Sequence, residues 1–181
     1  MQMKNKITVG LIGGSGFIGE VLLDLITPHP EMELKAVSSR NLSGKNIHSA
    51  LPDSPKDLNL NFSHPDDPIF LDCDVIFFAT PHGTSMDYAK KFLNSGKRII
   101  DLSADFRFKD PNIWYKWYSI PHRSESLLPE SVYGLTELYR EEIKASRLIS
   151  IPGCYPTASL LGLLPALSKI PKIKRVIIDA K

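Results

Sequence analysis

Apolar residues are grouped in short blocks along the first half of the chain, and each block has the length of a strand or a helix. Four runs dominated by apolar residues, at 7–12, 34–37, 75–79 and 98–102, are typical of strands buried in a parallel sheet. After the first run, apolar residues recur at helical spacing until Pro28 stops the pattern. The opening therefore predicts a strand, a glycine turn, a helix and a second strand.

A second helix is predicted between the third and fourth runs. Thr84 or Ser85 can cap its N-terminus, and Gly96 can end it after Asn94. Alternating strands and helices favour an α/β fold with a Rossmann-type, doubly wound parallel sheet. No element is predicted for residues 41–72, which are rich in Asn, Ser, Pro and Asp.

The pattern is less regular in the second half. Residues 103–129 form a long irregular stretch with Trp and Tyr residues inside it, and such stretches are either functional or misread. A helix is predicted over 136–145 and a strand over 148–151. We therefore expect a nucleotide-binding domain over residues 1–150.

Residues 151–181 are expected to begin a second domain. The nearly continuous apolar run at 157–168 predicts a buried helix, which Pro165 should kink or shorten. Residues 176–180 have a strand pattern with no turn or partner after it. Because an unpaired apolar strand promotes aggregation, we expect the chain to be a fragment or a truncated product.

Composition narrows the function classes. The net charge of +2 is too small, and the basic residues too scattered, to predict a nucleic-acid or membrane partner. No apolar run is long enough for a membrane span. The two cysteines cannot form a disulfide framework and have no metal-ligand spacing, so we expect a reduced, cytoplasmic protein without a metal.

The glycine turn after the first strand predicts a dinucleotide site. Gly14-Ser15-Gly16-Phe17-Ile18-Gly19 matches the G-x-G-x-x-G pattern, between a strand and a helix as the motif requires. The helix amides and dipole would then hold a pyrophosphate. The alternative is a glycine turn that only permits close helix packing. The predicted contacts in this turn are Gly13, Ser15, Gly16, Phe17, Ile18 and Gly19.

The residues after the second strand favour NADP over NAD. An Asp or Glu there would bind the ribose hydroxyls of NAD, but this chain has Ser38, Ser39 and Arg40. Two hydroxyls and a guanidinium suit a 2′-phosphate. The alternative is that Arg40 is only a solvated surface charge.

Cys154 is the candidate nucleophile. It lies between Gly153 and Pro156, just before a predicted helix start, where the helix N-terminus favours a thiolate. A buried structural cysteine is the alternative from the residues alone. Cys73 is expected to be structural, because Asp72 and Asp74 beside it disfavour a thiolate. A nucleotide fold with a nucleophilic cysteine points to thioester chemistry with hydride transfer.

Four later segments join the glycine turn in a recognisable pattern: Ala79-Thr80-Pro81-His82-Gly83, Ile100-Asp101-Leu102-Ser103-Ala104-Asp105-Phe106-Arg107, Tyr133-Gly134-Leu135-Thr136-Glu137-Leu138 and Pro152-Gly153-Cys154-Tyr155-Pro156-Thr157-Ala158. With them the chain resembles the N-acetyl-γ-glutamyl-phosphate reductases of arginine biosynthesis over nearly its whole length. Aspartate-semialdehyde dehydrogenases form the wider clan, with the same fold and cysteine chemistry.

The resemblance implies roles for particular residues. Cys154 would carry the acyl group, and Arg107 would bind the phosphate of a small-molecule acyl phosphate, unless it only pairs with Asp105 or Asp110 at the surface. The general base would be a histidine beyond the end of this chain. The family has Asn where this chain has Ile151, which puts the support of the cysteine loop in question. The residues implied near the nicotinamide are Thr80, Pro81, His82, Ser103 and Ala104.

The function implied by the resemblance is the NADPH-dependent reduction of N-acetyl-L-glutamyl 5-phosphate to the 5-semialdehyde and phosphate. The full-length protein would be a homo-oligomer whose second, α+β catalytic domain only begins here. Three alternatives stay open: a lysine-pathway aminoadipyl-phosphate reductase, an NADP-binding fragment without catalysis, and a regulatory protein built on a Rossmann unit.

Overall fold

A computed structural model describes residues 6–170 and 172–180 of the chain. Residues 1–5 of the first predicted domain, and residues 171 and 181 of the second, lie outside that description. The strands are β1 (Ile7–Ile12), β2 (Met32–Ser38), β3 (Phe62–Ser63), β4 (Val75–Phe78), β5 (Arg98–Asp101), β6 (Val132–Tyr133) and β7 (Leu148–Ser150). The helices are α1 (Phe17–Ile26), α2 (Ile47–Ala50), α3 (Ser85–Asn94), α4 (Pro111–Tyr118), α5 (Thr136–Ala145) and α6 (Cys154–Lys169), with 3-10 helices at Pro68–Asp72 and Glu125–Glu130.

All seven strands form one parallel sheet in the order β3-β2-β1-β4-β5-β7-β6. The chain leaves β1 in one direction to make β2 and β3, then crosses to the other side of β1 to make β4 and β5. The predicted doubly wound Rossmann-type sheet is therefore confirmed. In such a sheet, ligands bind outside the carboxyl ends of the strands where the winding reverses, which is between β1 and β4 here.

The core has two parts, one on each face of the sheet. Because side chains alternate along a strand, Ile76 and Phe78 of β4 pack into one cluster with α3, while Phe77 packs into the other with β2. Both clusters are made of side chains from residues 6–150. None of the described helices is long and apolar enough to cross a membrane.

One helix, α4, lies inside the stretch that the sequence pattern left irregular. The Asp110 side chain accepts a hydrogen bond of 2.8 Å from the Asn112 amide, and Pro111 occupies the first turn. Trp114 is fully buried and stacks on Tyr118, with ring centroids 4.1 Å apart. The Asp-Pro pair was the signal for this helix, and of its aromatic residues Trp114 and Tyr118 pack into the core while Tyr115 and Trp117 are exposed.

Helix α6 differs from the prediction in three respects. It begins at Cys154 rather than after Pro156, it continues through Pro165 to Lys169, and none of its side chains is buried. The prediction that this helix is buried is thus wrong, because no described element covers its apolar surface.

Residues 172–180 form no strand, so the strand predicted over residues 176–180 is absent from the described structure. A strand requires a neighbour for its backbone hydrogen bonds, and this segment pairs with neither edge of the sheet. Its apolar side chains are exposed, with Ile177 at 83%.

Candidate active site

The glycine turn brings the end of β1 against the end of β4. Gly13 has φ +92°, and a Cβ there would lie 2.4 Å from the Ala79 carbonyl oxygen. A Cβ on Gly19 would lie 2.3 Å from the Gly13 carbonyl oxygen. Close packing within the protein therefore demands glycine at both positions.

Gly16 is different, because nothing in the protein requires a glycine there. Its φ is −95°, and the nearest heavy atom to an added Cβ would be 3.9 Å away. Gly16 is the N-cap of α1 and offers no side chain to the first-turn amides. The space beside Gly16 and the free helix terminus suit the close approach of a pyrophosphate.

The serines after β2 hold the glycine turn in place. The Ser38 hydroxyl accepts a 3.2 Å hydrogen bond from the Gly13 amide, and the hydroxyls of Ser15 and Ser39 are 2.7 Å apart. Ser38 and Ser39 are buried, whereas Arg40 is exposed. Arg40 is thus the member of this trio whose side chain is open to a ligand.

A groove of about 440 Å³ runs across the carboxyl ends of β2, β1 and β4. A smaller cavity of about 270 Å³ shares Gly16, Thr80 and Pro81 with it and extends to Leu102. The Thr80 hydroxyl is buried without a hydrogen-bond partner among the described residues, although other atoms of Thr80 line the groove. The groove therefore fits a dinucleotide.

The predicted cofactor residues fall into two sets. Those that line the groove are Gly13, Ser15, Gly16, Ser38, Ser39, Arg40, Thr80 and Pro81, and Phe17 and Ile18 line the smaller cavity. Those outside both lining sets are Gly19, His82, Ser103 and Ala104. Sequence reasoning missed Asn41, Pro65 and Thr84, which also line the groove.

Cys154 is the first residue of the 16-residue helix α6 and is exposed. Gly153 precedes it as the N-cap, with extended backbone and no capping side chain. Cys154 therefore lies at the end of the helix that carries a partial positive charge. The expected alternative, a buried structural cysteine, is wrong for Cys154.

Cys73 is fully buried. Burial raises the pKa of its thiol from 9.0 to about 11, and the neighbouring Asp72 and Asp74 contribute less than burial does. The predicted structural role fits this environment, although burial, rather than charge, is the main reason.

Arg107 connects the cysteine loop to Leu102, which lines the smaller cavity. Its Nε donates to the Ile151 carbonyl at 2.8 Å, and its Nη2 donates to the Leu102 carbonyl at 3.1 Å. A Cβ on Gly153 would lie 3.4 Å from its Nη1. Arg107 pairs with neither nearby aspartate, so the alternative of a surface ion pair is wrong.

Ile151 supports the cysteine loop through both its backbone and its side chain. Its amide donates to the Asp101 carbonyl at 2.8 Å. Its Cδ1 packs so closely on Gly134 that an added Cβ would lie 2.7 Å away. This loop is therefore anchored to β5 and β6 with Ile at the position where the resembling family has Asn.

Two histidines near the site have different environments. His82 is exposed and meets the Tyr118 ring edge-on, with centroids 4.8 Å apart. His122 is buried; its Nδ1 accepts from the Ser124 amide, so the proton on Nε2 is donated to the Asp105 carbonyl at 2.8 Å. His122 is thus engaged in backbone contacts.

Ser103 belongs to a buried network rather than to the groove surface. Its hydroxyl donates to Asp101 Oδ2 at 3.0 Å and lies 3.1 Å from the Ser85 hydroxyl, which donates to Asp105. Burial, followed by the Asp105 carboxylate, raises the pKa of Asp101 from 3.8 to about 7. Sequence reasoning missed this network, since Ser85 joins it from 18 and 20 positions away along the chain.

The family comparison agrees with this geometry. A family model described as "Semialdehyde dehydrogenase, NAD binding domain" matches residues 8–146. The chain is 48% identical over 163 residues to an N-acetyl-gamma-glutamyl-phosphate reductase of Acidithiobacillus ferrooxidans, covering 90% of this chain and 47% of that protein. It is 46% identical over 176 residues to the protein of the same name from Thiobacillus denitrificans, covering 97% and 52%. The chain thus spans about half the length of these curated relatives.

Solved structures show the same fold at low sequence identity. An aspartate semialdehyde dehydrogenase with NADP from Candida albicans matches with a TM-score of 0.65 at 17% identity, over 92% of this chain and 48% of that one. An aspartate semialdehyde dehydrogenase II complexed with ASA from Vibrio cholerae matches with a TM-score of 0.69 at 15% identity, over 92% and 44%.

Proposed function

The chain belongs to the semialdehyde dehydrogenase family through its NAD-binding domain, and we propose that it is the N-terminal part of an NADPH-dependent N-acetyl-γ-glutamyl-phosphate reductase. Residues 1–150 would bind the nucleotide, and residues 151–181 would begin the catalytic domain. One observation carries the proposal furthest: Cys154 starts a helix at the same edge of the sheet as the nucleotide groove, and Arg107 bonds both the cysteine loop and Leu102 of the adjoining cavity.

The first chemical step is assigned to Cys154. Its thiolate attacks the carbonyl carbon of the acyl phosphate, a C–S bond forms, and the bond from that carbon to the phosphate oxygen breaks. Arg107 has two of its N–H groups held by backbone carbonyls, and its Nη1 lies beside the cysteine loop. That nitrogen is placed to bind the departing phosphate, which takes up a proton from water.

The second step requires the cofactor to lie across the groove. When bound, NADPH supplies the hydride that converts the thioester carbonyl into the aldehyde. The α1 N-terminus would hold the pyrophosphate at Gly16, and Thr80, which lines the groove, would contact the nicotinamide side. Cys154 leaves as a thiolate and is ready for another cycle.

The preference for NADP rests on Arg40. It is the exposed cation in the groove beside Ser38 and Ser39, where an NAD-specific site would have a carboxylate. Charge-assisted bonds to a 2′-phosphate are stronger than neutral ones. The chain should therefore bind NADP more tightly than NAD, and equal affinity for the two would contradict this part of the proposal.

The reaction is tested in reverse. We would measure phosphate-dependent reduction of NADP⁺ with N-acetylglutamate semialdehyde, for this chain and for Cys154→Ser. Activity that vanishes in the variant supports the cysteine mechanism. Because a general acid–base group typically contributes about 10²–10⁴-fold, and the resemblance puts that group beyond this chain, we expect the chain alone to turn over slowly. Equal activity in the variant would contradict the mechanism.

A second candidate function is cofactor binding without catalysis by this chain alone. The observation in its favour is that α6, which carries Cys154, buries none of its side chains. A cofactor titration run beside the activity assay separates the two functions. Tight NADP⁺ binding with no turnover would favour a binding module, whereas turnover that depends on Cys154 would favour the reductase.

A further inference from the structure

The buried carboxylate of Asp105 lies under the turn that joins β4 to α3. Asp105 is 1% exposed. Its Oδ1 accepts a hydrogen bond of 2.7 Å from the Gly83 amide, and its Oδ2 accepts bonds of 3.0 Å from the Met86 amide and from the Ser85 hydroxyl. One carboxylate therefore satisfies three donors of a single turn.

This carboxylate takes the place of a local helix cap. Thr84 is the N-cap of α3, but its side chain caps nothing, contrary to the expectation that Thr84 or Ser85 would cap this helix. Asp105 supplies the acceptor from the segment after β5 instead. A carboxylate at a helix N-terminus is also stabilised by the helix dipole. The shape of the turn therefore depends on a residue about 20 positions further along the chain.

The same carboxylate belongs to the buried network that contains Asp101. The Ser103 hydroxyl donates to Asp101, and the Ser85 hydroxyl, 3.1 Å from that of Ser103, donates to Asp105, so that each hydroxyl hydrogen has an acceptor. Two backbone amides also donate to Asp105. The network thus keeps a strong acceptor beneath the turn.

The turn held in this way forms one wall of the groove. Thr80, Pro81 and Thr84 line the groove, whereas Asp105 lines neither cavity. Arg123 holds the turn from a second side, since its Nη2 bonds the Gly83 carbonyl and its Nε bonds Asp87. The wall at Thr80 is across the groove from Arg40, so it faces the end of a bound dinucleotide that does not carry the 2′-phosphate.

We propose that Asp105 is a positioning residue for the nicotinamide half of the cofactor: it holds the turn at 80–84 in the shape that contacts the nicotinamide, without touching the cofactor itself. The inference rests on the proposed NADP-binding function. It adds Asp105 as a residue that affects nicotinamide binding through the turn.

The test compares two ligands that differ only in the nicotinamide. NADP⁺ and 2′-phospho-ADP-ribose would be titrated calorimetrically into the wild-type chain, Asp105→Asn and Asp74→Asn. Asparagine has one acceptor oxygen, so it cannot accept both from the Gly83 amide and from the donors of Ser85 and Met86. We therefore expect Asp105→Asn to weaken NADP⁺ binding roughly tenfold, as for the loss of a bond to a charged group. Binding of 2′-phospho-ADP-ribose should change less than about twofold.

Asp74→Asn is the matched control. Asp74 accepts from the amide and hydroxyl of Thr8, at 2.8 and 2.7 Å, just before the other end of β4. The variant therefore removes a hydrogen-bonded carboxylate next to β4 without touching the turn. We expect it to leave the ratio of the two affinities unchanged, even where it lowers the melting temperature.

A variant with a smaller change covers the case in which Asp105→Asn does not fold. Ser85→Ala keeps the carboxylate and removes one of its three donors. It should therefore weaken the binding of NADP⁺ roughly threefold more than that of 2′-phospho-ADP-ribose. Equal losses for both ligands, or unchanged NADP⁺ binding, would overturn the positioning role alone. If the wild-type chain binds neither ligand, the proposed function fails and this inference fails with it.

Discussion

Two parts of this chain differ in how much of their own apolar surface they bury. Residues 6–150 bury two continuous clusters against the faces of one parallel sheet, with side chains such as Phe78 and Trp114 fully buried. Residues 151–180 are equally apolar in pattern, yet α6 buries none of its side chains and residues 172–180 form no strand. Apolar periodicity thus predicts burial only where other elements are present to cover it.

The boundary between the two parts coincides with the candidate chemistry. Ile151 bonds Asp101 through its amide and Arg107 through its carbonyl, and Cys154 follows three residues later. The loop that presents the cysteine is therefore held by the packed sheet, while the helix behind it is not. This arrangement favours a nucleophile whose position is set by the nucleotide domain.

The two cysteines, one in each part, offer the largest contrast. Cys154 is exposed, whereas Cys73 is fully buried with a pKa raised to about 11. Because the thiolate reacts and Cys73 also requires opening of the core, we expect labelling at pH 8 to be at least about 10³-fold slower at Cys73. Ellman's reagent with stopped-flow detection measures this.

Single-cysteine variants assign the labelling phases. Cys154→Ser should remove the fast phase, and Cys73→Ser should leave it intact. A fast phase that survives in Cys154→Ser would mean that the sheet region is not packed as described, and the contrast between the two parts would fail.

Matched leucines test the same contrast through stability. Leu23 of α1 is 1% exposed, and Leu167 of α6 is 47% exposed. We expect Leu23→Ala to lower the free energy of unfolding by about 2–5 kcal/mol, since it leaves a cavity in the core. Leu167→Ala should change it by less than about 0.5 kcal/mol.

Urea unfolding followed by circular dichroism measures both variants. A loss at Leu167 as large as that at Leu23 would show that α6 is packed in solution, by a second copy of the chain for instance. In that case the loss should grow with protein concentration, which distinguishes association from packing within one chain.

Sequence reasoning succeeded where local pattern decides structure. The apolar run of β1 and the boundaries of α5 needed only periodicity and end signals, and the glycine turn was recognisable from its place between a strand and a helix. It failed at α4. The Asp-Pro pair that starts this helix was overlooked, because the surrounding aromatic stretch was interpreted as a loop.

The remaining features depend on residues that are far apart in the chain. Asp105 caps α3 from about 20 positions away, and Arg107 reaches Ile151 across 44 positions. No local pattern encodes such contacts. The exposure of α6 is likewise decided by which elements are present to cover it, and not by its own sequence.

A gradual effect of pH is expected at Asp101, the residue at the boundary to which Ile151 is bonded. Its pKa is about 7 in the folded chain, against 3.8 for an unperturbed aspartate side chain. Between these values the folded chain binds more protons than the unfolded chain, so stability should fall as pH rises from about 4 to 7 and level off above 7. The slope from one such group is at most about 1.4 kcal/mol per pH unit.

Asp101→Asn isolates this contribution, because asparagine resembles the protonated acid and does not titrate. Asp105 faces Asp101 within the network and stays present in both proteins. Urea unfolding at intervals between pH 4.5 and 7.5 should therefore show a steeper decline for the wild type than for the variant. Parallel curves would mean that burial does not raise the pKa of Asp101 in the folded chain.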